Sequence, residues 1–225
     1  MGKHYFKYLT LFILSICFTM SLPVYAESIE SSDIKFVRIA AEKGDSEAQY
    51  HLALAYDSGQ GVAVNHETAV YWYQKAAENG YLDAMFNLAV SYDDGDGIKQ
   101  DKAQAIFWYT KAAEQGDPDA QNNLAIIYEE GDGTDIDYDK AHDWYLKSAK
   151  QANSLAQFNL ADFYYSGLNQ DQPNYVEAYA WYTTAAKNNE IGAEQHQQAV
   201  FALLSDSQKV EAQQLAEHYL KLYTK

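Results

Sequence analysis

The side chains best suited to chemistry in this chain are its acids, its histidines and one serine–lysine pair. Two acidic glycine loops, Asp93-Asp94-Gly95-Asp96-Gly97 and Asp132-Gly133-Thr134-Asp135-Ile136-Asp137, are oxygen-rich turns of the kind that hold calcium. The EF-hand spacing fails in both. Counting from Asp94, Ile98 falls where an oxygen ligand is needed; counting from Asp135, Lys140 takes the glycine position. The equivalent earlier loop, Ser58-Gly59-Gln60-Gly61, makes the same turn without an acid. The loops therefore read as structural turns, with weak calcium binding a distant second.

His51, His66, His142, His196 and His218 show no His-x3-His pairing, so zinc has no support from spacing. Cys17 is the single cysteine and lies in an apolar N-terminal run; with that run removed, thiolate catalysis, cysteine metal sites and disulfides are excluded. Ser32-Asp33-Ile34-Lys35 matches the Ser-x-x-Lys of penicillin-recognising serine enzymes, but the partner motifs Ser-Asp-Asn and Lys-Thr-Gly are missing. With 32 acids in the chain, carboxylate pairs abound and none marks a glycosidase. No catalytic residue, metal or cofactor is expected.

The formal net charge is −16. A field of that sign repels nucleic acid and anionic lipid and favours basic partners, although it also serves plain solubility. Residues 1–26 read as a secretory signal peptide. Lys3, His4 and Lys7 start it, Leu9 to Leu22 is nearly all apolar, and Pro23-Val24-Tyr25-Ala26 ends on a small residue at the expected cleavage point. Cleavage removes two lysines and no acids, so the mature chain is more acidic still. The expected location is the periplasm, with the cell exterior second, and no membrane attachment after cleavage.

What must position all these side chains is an internal repeat of 36 residues. Ala48, Ala84, Ala120 and Ala156 are evenly spaced. So are Leu52, Leu88, Leu124 and Leu160, and Tyr56, Tyr92, Tyr128 and Tyr164. Trp72-Tyr73, Trp108-Tyr109 and Trp144-Tyr145 keep the period, and Trp181-Tyr182 arrives one residue late. Such a period predicts a solenoid of helix pairs, in which each unit buries its apolar face only against its neighbours. In the unit from Asp117, that residue is an N-cap and Pro118 sits at the first helical position, where its missing N–H costs nothing. This helix runs to about Glu130 and stops at Gly131-Asp132-Gly133. The column Asn65, Asp101, Asp137 and Asn174 caps the second helices, and Ala141, Trp144, Tyr145 and Ala149 form a buried face. Each buried Trp or Tyr hides roughly 150–250 Å², on the order of 4–6 kcal/mol gross, which makes the Trp-Tyr pairs the expected mortar between units.

The stretches Ala48-x3-Leu52-Ala53-x2-Tyr56, Gly59-Gln60-Gly61-Val62 and Ala69-x2-Trp72-Tyr73-x-Lys75-Ala76-Ala77-Glu78-x-Gly80 resemble the Sel-one-like repeat, a relative of the tetratricopeptide repeat. The second unit closes alike on Lys111-Ala112-Ala113-Glu114-Gln115-Gly116. The resemblance implies an all-α, right-handed α-solenoid of tetratricopeptide-like helix pairs. The expected divisions are a tail and half-repeat cap at 27–44, repeats at 45–80, 81–116 and 117–152, a divergent repeat at 153–190, and closing helices at 191–225. In the divergent unit Asn169 and Asn189 replace glycines and one residue is inserted, which predicts a looser turn. Some cysteine-rich members of the family are linked to penicillin binding, but their cysteines are absent here.

In tetratricopeptide-like arrays the first helices line a concave groove. Carried onto this chain, the resemblance implies groove columns with Tyr50, Phe86, Asn122 and Phe158; then Leu54, Val90, Ile126 and Asp162; then Asp57, Asp93, Glu129 and Tyr165; and outermost Asp94 and Glu130. An apolar and aromatic floor with an acidic rim suits a basic partner, or a hydrophobic segment flanked by Lys and Arg. The function so implied is a non-enzymatic protein-interaction module of the bacterial envelope, acting as scaffold, regulator or immunity-type inhibitor. A cell-wall or β-lactam hydrolase of the same repeat family is the alternative.

Overall fold

The computed structural model describes residues 32–224; the expected signal peptide, 1–26, and the tail to residue 31 lie outside the described residues. Among the described residues there are eleven helices and no strand. Helix α1 (Ser32–Glu42) precedes four pairs: α2 (Ser46–Ser58) with α3 (His66–Glu78), α4 (Leu82–Asp94) with α5 (Lys102–Glu114), α6 (Pro118–Glu130) with α7 (Tyr138–Lys150), and α8 (Ser154–Ser166) with α9 (Tyr175–Lys187). Helices α10 (Ala193–Leu203) and α11 (Asp206–Tyr223) end the array. From α1 to α9 each helix packs on the next, and both α10 and α11 pack on α9. The α-solenoid expected from the period is the fold.

Local chemistry fixes where each helix begins. Asp45, Asp117 and Asn153 cap α2, α6 and α8, each side chain accepting from a backbone N–H three residues on. Tyr81 holds the same place before α4 without a capping bond, and stacks on Tyr50 with ring centroids 4.8 Å apart. Asn65, Asp101, Asp137 and Asn174 cap α3, α5, α7 and α9. These four also close the loop within each unit, donating their backbone N–H groups to the carbonyls of Tyr56, Tyr92, Tyr128 and Tyr164 at 2.8–2.9 Å. In the fourth unit the extra residue is taken up inside the loop, which the same bond shuts. The second bond of the turn, donated by Gln60, Asp96 and Asp132 to Ala55, Ser91 and Ile127, has no counterpart at Leu168, in line with the expected loosening.

Leu52, Leu88, Leu124 and Leu160 are wholly buried, as are Tyr109, Tyr145, Tyr182 and Trp181 to within 1%. The expectation that both members of each Trp-Tyr pair are mortar holds at Trp72 and Trp181, 9% and 1% exposed, and needs correction in the two middle units. Trp108 and Trp144 are only half-buried. Adjacent residues point about 100° apart on a helix, and in these two units the tyrosine faces the neighbouring helices while the tryptophan is turned toward the margin. There the Lys147 ammonium lies 3.7 Å above the Trp144 ring.

A polar column contributes what the apolar pattern does not reveal. Gln49, Gln121 and Gln157 are buried, and their amides donate to the carbonyls of Ala41, Ala113 and Ala149 at the end of the preceding unit. Their own carbonyls accept from Asn79, Gln151 and Asn188 at 2.8–2.9 Å. Each glutamine thus ties three helix segments together while leaving no amide unsatisfied. Met85 replaces it in the second unit, facing Gln115.

Candidate functional site

Tyr50, Leu54, Asp57 and Ser58 stand at i, i+4, i+7 and i+8 of α2 and so share one helix face, as do their counterparts on α4, α6 and α8. Of the residues expected to meet a partner, Asp94, Glu130 and Tyr165 are exposed. Tyr50, Leu54, Asp57, Phe86, Val90, Ile126, Glu129, Phe158 and Asp162 are half-buried. Two expectations are corrected. Asn122, 2% exposed, accepts a hydrogen bond from Asn159 at 2.9 Å and joins α6 to α8 inside the protein. Asp93, 7% exposed, is held by the Lys102 ammonium at 2.5 Å. Neither is open to a partner.

The second helix of each pair backs this face with tyrosine. Tyr50 lies 6.0 Å from Tyr73, Phe86 6.0 Å from Tyr109 and Phe158 5.3 Å from Tyr182, ring centroid to centroid. The same tyrosines steer acids: Tyr145 donates to Glu129 at 2.7 Å, and Tyr182 donates to Asp162. Burial pushes the phenols of Tyr145 and Tyr182 far up, and the charges of Glu129 and Asp162 push them further. They stay protonated and remain donors. Burial likewise raises Tyr73, with Asp57 adding to it. These shifts belong to oriented carboxylates, not to a poised acid or base.

Sequence reasoning missed the ion pairs between units. Lys102, the first residue of α5, reaches Asp93 of its own unit at 2.5 Å and Asp132 of the next loop at 2.7 Å. Burial works against its charge, yet the hydrogen bonds and charges of both acids hold the ammonium above the ordinary lysine range. One period earlier, His66 stands between Asp57 at 2.9 Å and Asp96 at 3.7 Å. The signal was in the register, because Asp57 and Asp93, like Asp96 and Asp132, occupy equivalent positions. The hollow lined by Asp137, Asp139, Asn169 and Asp171 is open to solvent and pairs no nucleophile with a base.

Tandem helix pairs that repeat one face along an array define a tetratricopeptide-like repeat protein. Residues 46–81, 82–117, 118–153 and 154–190 each match the Sel1 repeat, and the chain belongs to that family. It is similar to a protective antigen of uropathogenic Escherichia coli strains that displays an SLR fold, with 35% identity, 85% of this chain covered and a TM-score of 0.78. The alignment spans only 41% of that antigen's length. A Sel1 repeat protein from Oxalobacter formigenes is 27% identical over 84% of this chain and 81% of its own, with a TM-score of 0.69. An immunity protein from Pseudomonas aeruginosa, at 20% identity over 84% of this chain and 72% of its own, has a TM-score of 0.49, too distant for its role to transfer. Among curated proteins no relative matches. Among the described residues no helix is long and apolar enough to cross a membrane.

Proposed function

We propose that this chain is an exported, non-catalytic interaction module of the bacterial envelope. The face formed by α2, α4, α6 and α8 captures a basic protein, or a hydrophobic segment flanked by basic residues. One observation carries the reading: half-buried apolar side chains, Leu54, Phe86, Val90, Ile126 and Phe158, recur on that face beside acids, in a chain of net charge −16. Apolar anchors give affinity, while the acidic surround selects the sign of the partner and speeds encounter. Export is inferred from the charged and apolar start of the sequence. Scaffold, regulator and immunity-type inhibitor are roles that the same face serves.

The test is retention of envelope proteins at low salt by wild type and by the double variant Phe86→Ala, Asp94→Lys. A basic protein held by wild type, released by salt and retained about tenfold less by the variant is the expected result. Equal retention by both proteins contradicts the proposed face. Turnover of a β-lactam or a muropeptide by wild type contradicts the non-catalytic reading.

A further inference from the structure

The repeat sets the same seat for a cation at two successive junctions. At the junction of the second and third units it is filled from within: the Lys102 ammonium sits 2.5 Å from an oxygen of Asp93 and 2.7 Å from one of Asp132. At the junction of the first and second units the equivalent acids are Asp57 and Asp96, but the residue between them is His66. Imidazole is a metal ligand where ammonium is a substitute for a metal. We propose that Asp57, His66 and Asp96 bind a divalent transition-metal ion of the zinc type, which joins these two units as Lys102 joins the next two.

Donor atoms from all three side chains lie within 4.8 Å of one another. Tetrahedral zinc, with bonds to N and O of about 2.0–2.2 Å, sets its ligands about 3.3 Å apart. His66 Nδ1 lies 2.9 Å from Asp57 Oδ1 and 3.7 Å from Asp96 Oδ2, on either side of that spacing. A mixed imidazole and carboxylate set suits zinc-class ions and disfavours calcium, which takes oxygen alone. The side chains are 34% (Asp57), 39% (His66) and 46% (Asp96) exposed, so an ion has a path in and a fourth position is left for water.

The N-terminus of α3 opposes a cation here with roughly half a positive charge. Two carboxylates outweigh it, as they do at the start of α5, where Lys102 is seated in the same relation to its helix. The loop that carries Asp96 is also fixed against His66. Gly97 has φ 71°, and a Cβ there would fall 2.3 Å from the His66 carbonyl oxygen. The three ligands come from α2, α3 and the loop between α4 and α5, which is why no short spacing in the sequence announces them.

The test uses the purified, untagged protein with zinc chloride, followed by calorimetric titration and thermal melting, and with cobalt(II) followed by visible absorption. Wild type should bind one zinc, melt higher with it, lose the gain on EDTA, and show the visible bands of tetrahedral cobalt. His66→Lys copies the Lys102 junction, so it should fold and melt without zinc at least as high as wild type yet show no zinc shift. Asp96→Asn should weaken the affinity by about tenfold or more. Absence of heat and of any melting shift at millimolar zinc overturns the proposal. Equal binding by His66→Lys, or by Asp96→Asn should His66→Lys fail to fold, overturns it too, because the ion would then sit on other surface acids.

Discussion

Tyr145 shows how a side chain can look functional and be structural. Its hydroxyl is deeply buried, its phenol is displaced far upward, and it touches the half-buried carboxylate of Glu129. Tyr145→Phe removes the donor and leaves the ring, so chemical or thermal unfolding should show a loss of about 1.5–3 kcal/mol, the range for a hydrogen bond to a charged group. Glu177 makes the opposite prediction. Burial raises its carboxyl above the ordinary 4.5, against the hydrogen bond donated by Tyr219 at 3.0 Å. The folded state then binds more proton than the unfolded state in the window above 4.5, so stability falls as pH rises through that window. Glu177→Gln keeps an acceptor for Tyr219 and removes the titration. Melting temperatures should become flatter across that window, with the variant gaining on wild type toward neutral pH. At this scale the sequence was least legible. The period put Asn122 and Asp93 on the right helix face, but their partners Asn159 and Lys102 come from other helices, and burial followed from those partners.

Helices were the most legible level, because their ends are set by local chemistry. Capping residues, proline at the first turn and paired glycines all lie within a few positions of the boundary they fix. What the pattern concealed was the glutamine column, since a buried polar residue carries no hydrophobic period and its carbonyl partners lie in the preceding unit. The turn after each second helix offers a test of local strain. Gly80 and Gly116 take φ 87° and 99° there, but the third unit places Ala152 at φ 60°. A side chain in the left-handed region costs about 1–2 kcal/mol, more than the entropy glycine adds to the unfolded chain. Ala152→Gly should raise stability by about 1 kcal/mol by denaturant melting.

For the whole molecule, stability passes from unit to unit through the tyrosines. Tyr109 is 1% exposed while Trp108 is half-buried, so Tyr109→Ala should cost about 3–5 kcal/mol and Trp108→Ala clearly less. Hydrogen exchange should show the Tyr109 loss spreading to both neighbouring units, as in a nearest-neighbour array. The architecture was legible because every unit repeats the same constraints. The partner was not, because an acidic face specifies charge and shape but no single ligand. The central claim is that the first-helix face captures a protein. The most direct measurement is site-specific photo-crosslinking in living cells, with the probe at exposed Tyr165 or Glu130 on that face and at exposed Tyr71 or Phe107 on second helices. A discrete basic protein joined from Tyr165 and Glu130 but not from Tyr71 or Phe107 is the predicted result. The same adduct from only the second-helix positions, or none from the first-helix face, would contradict the account.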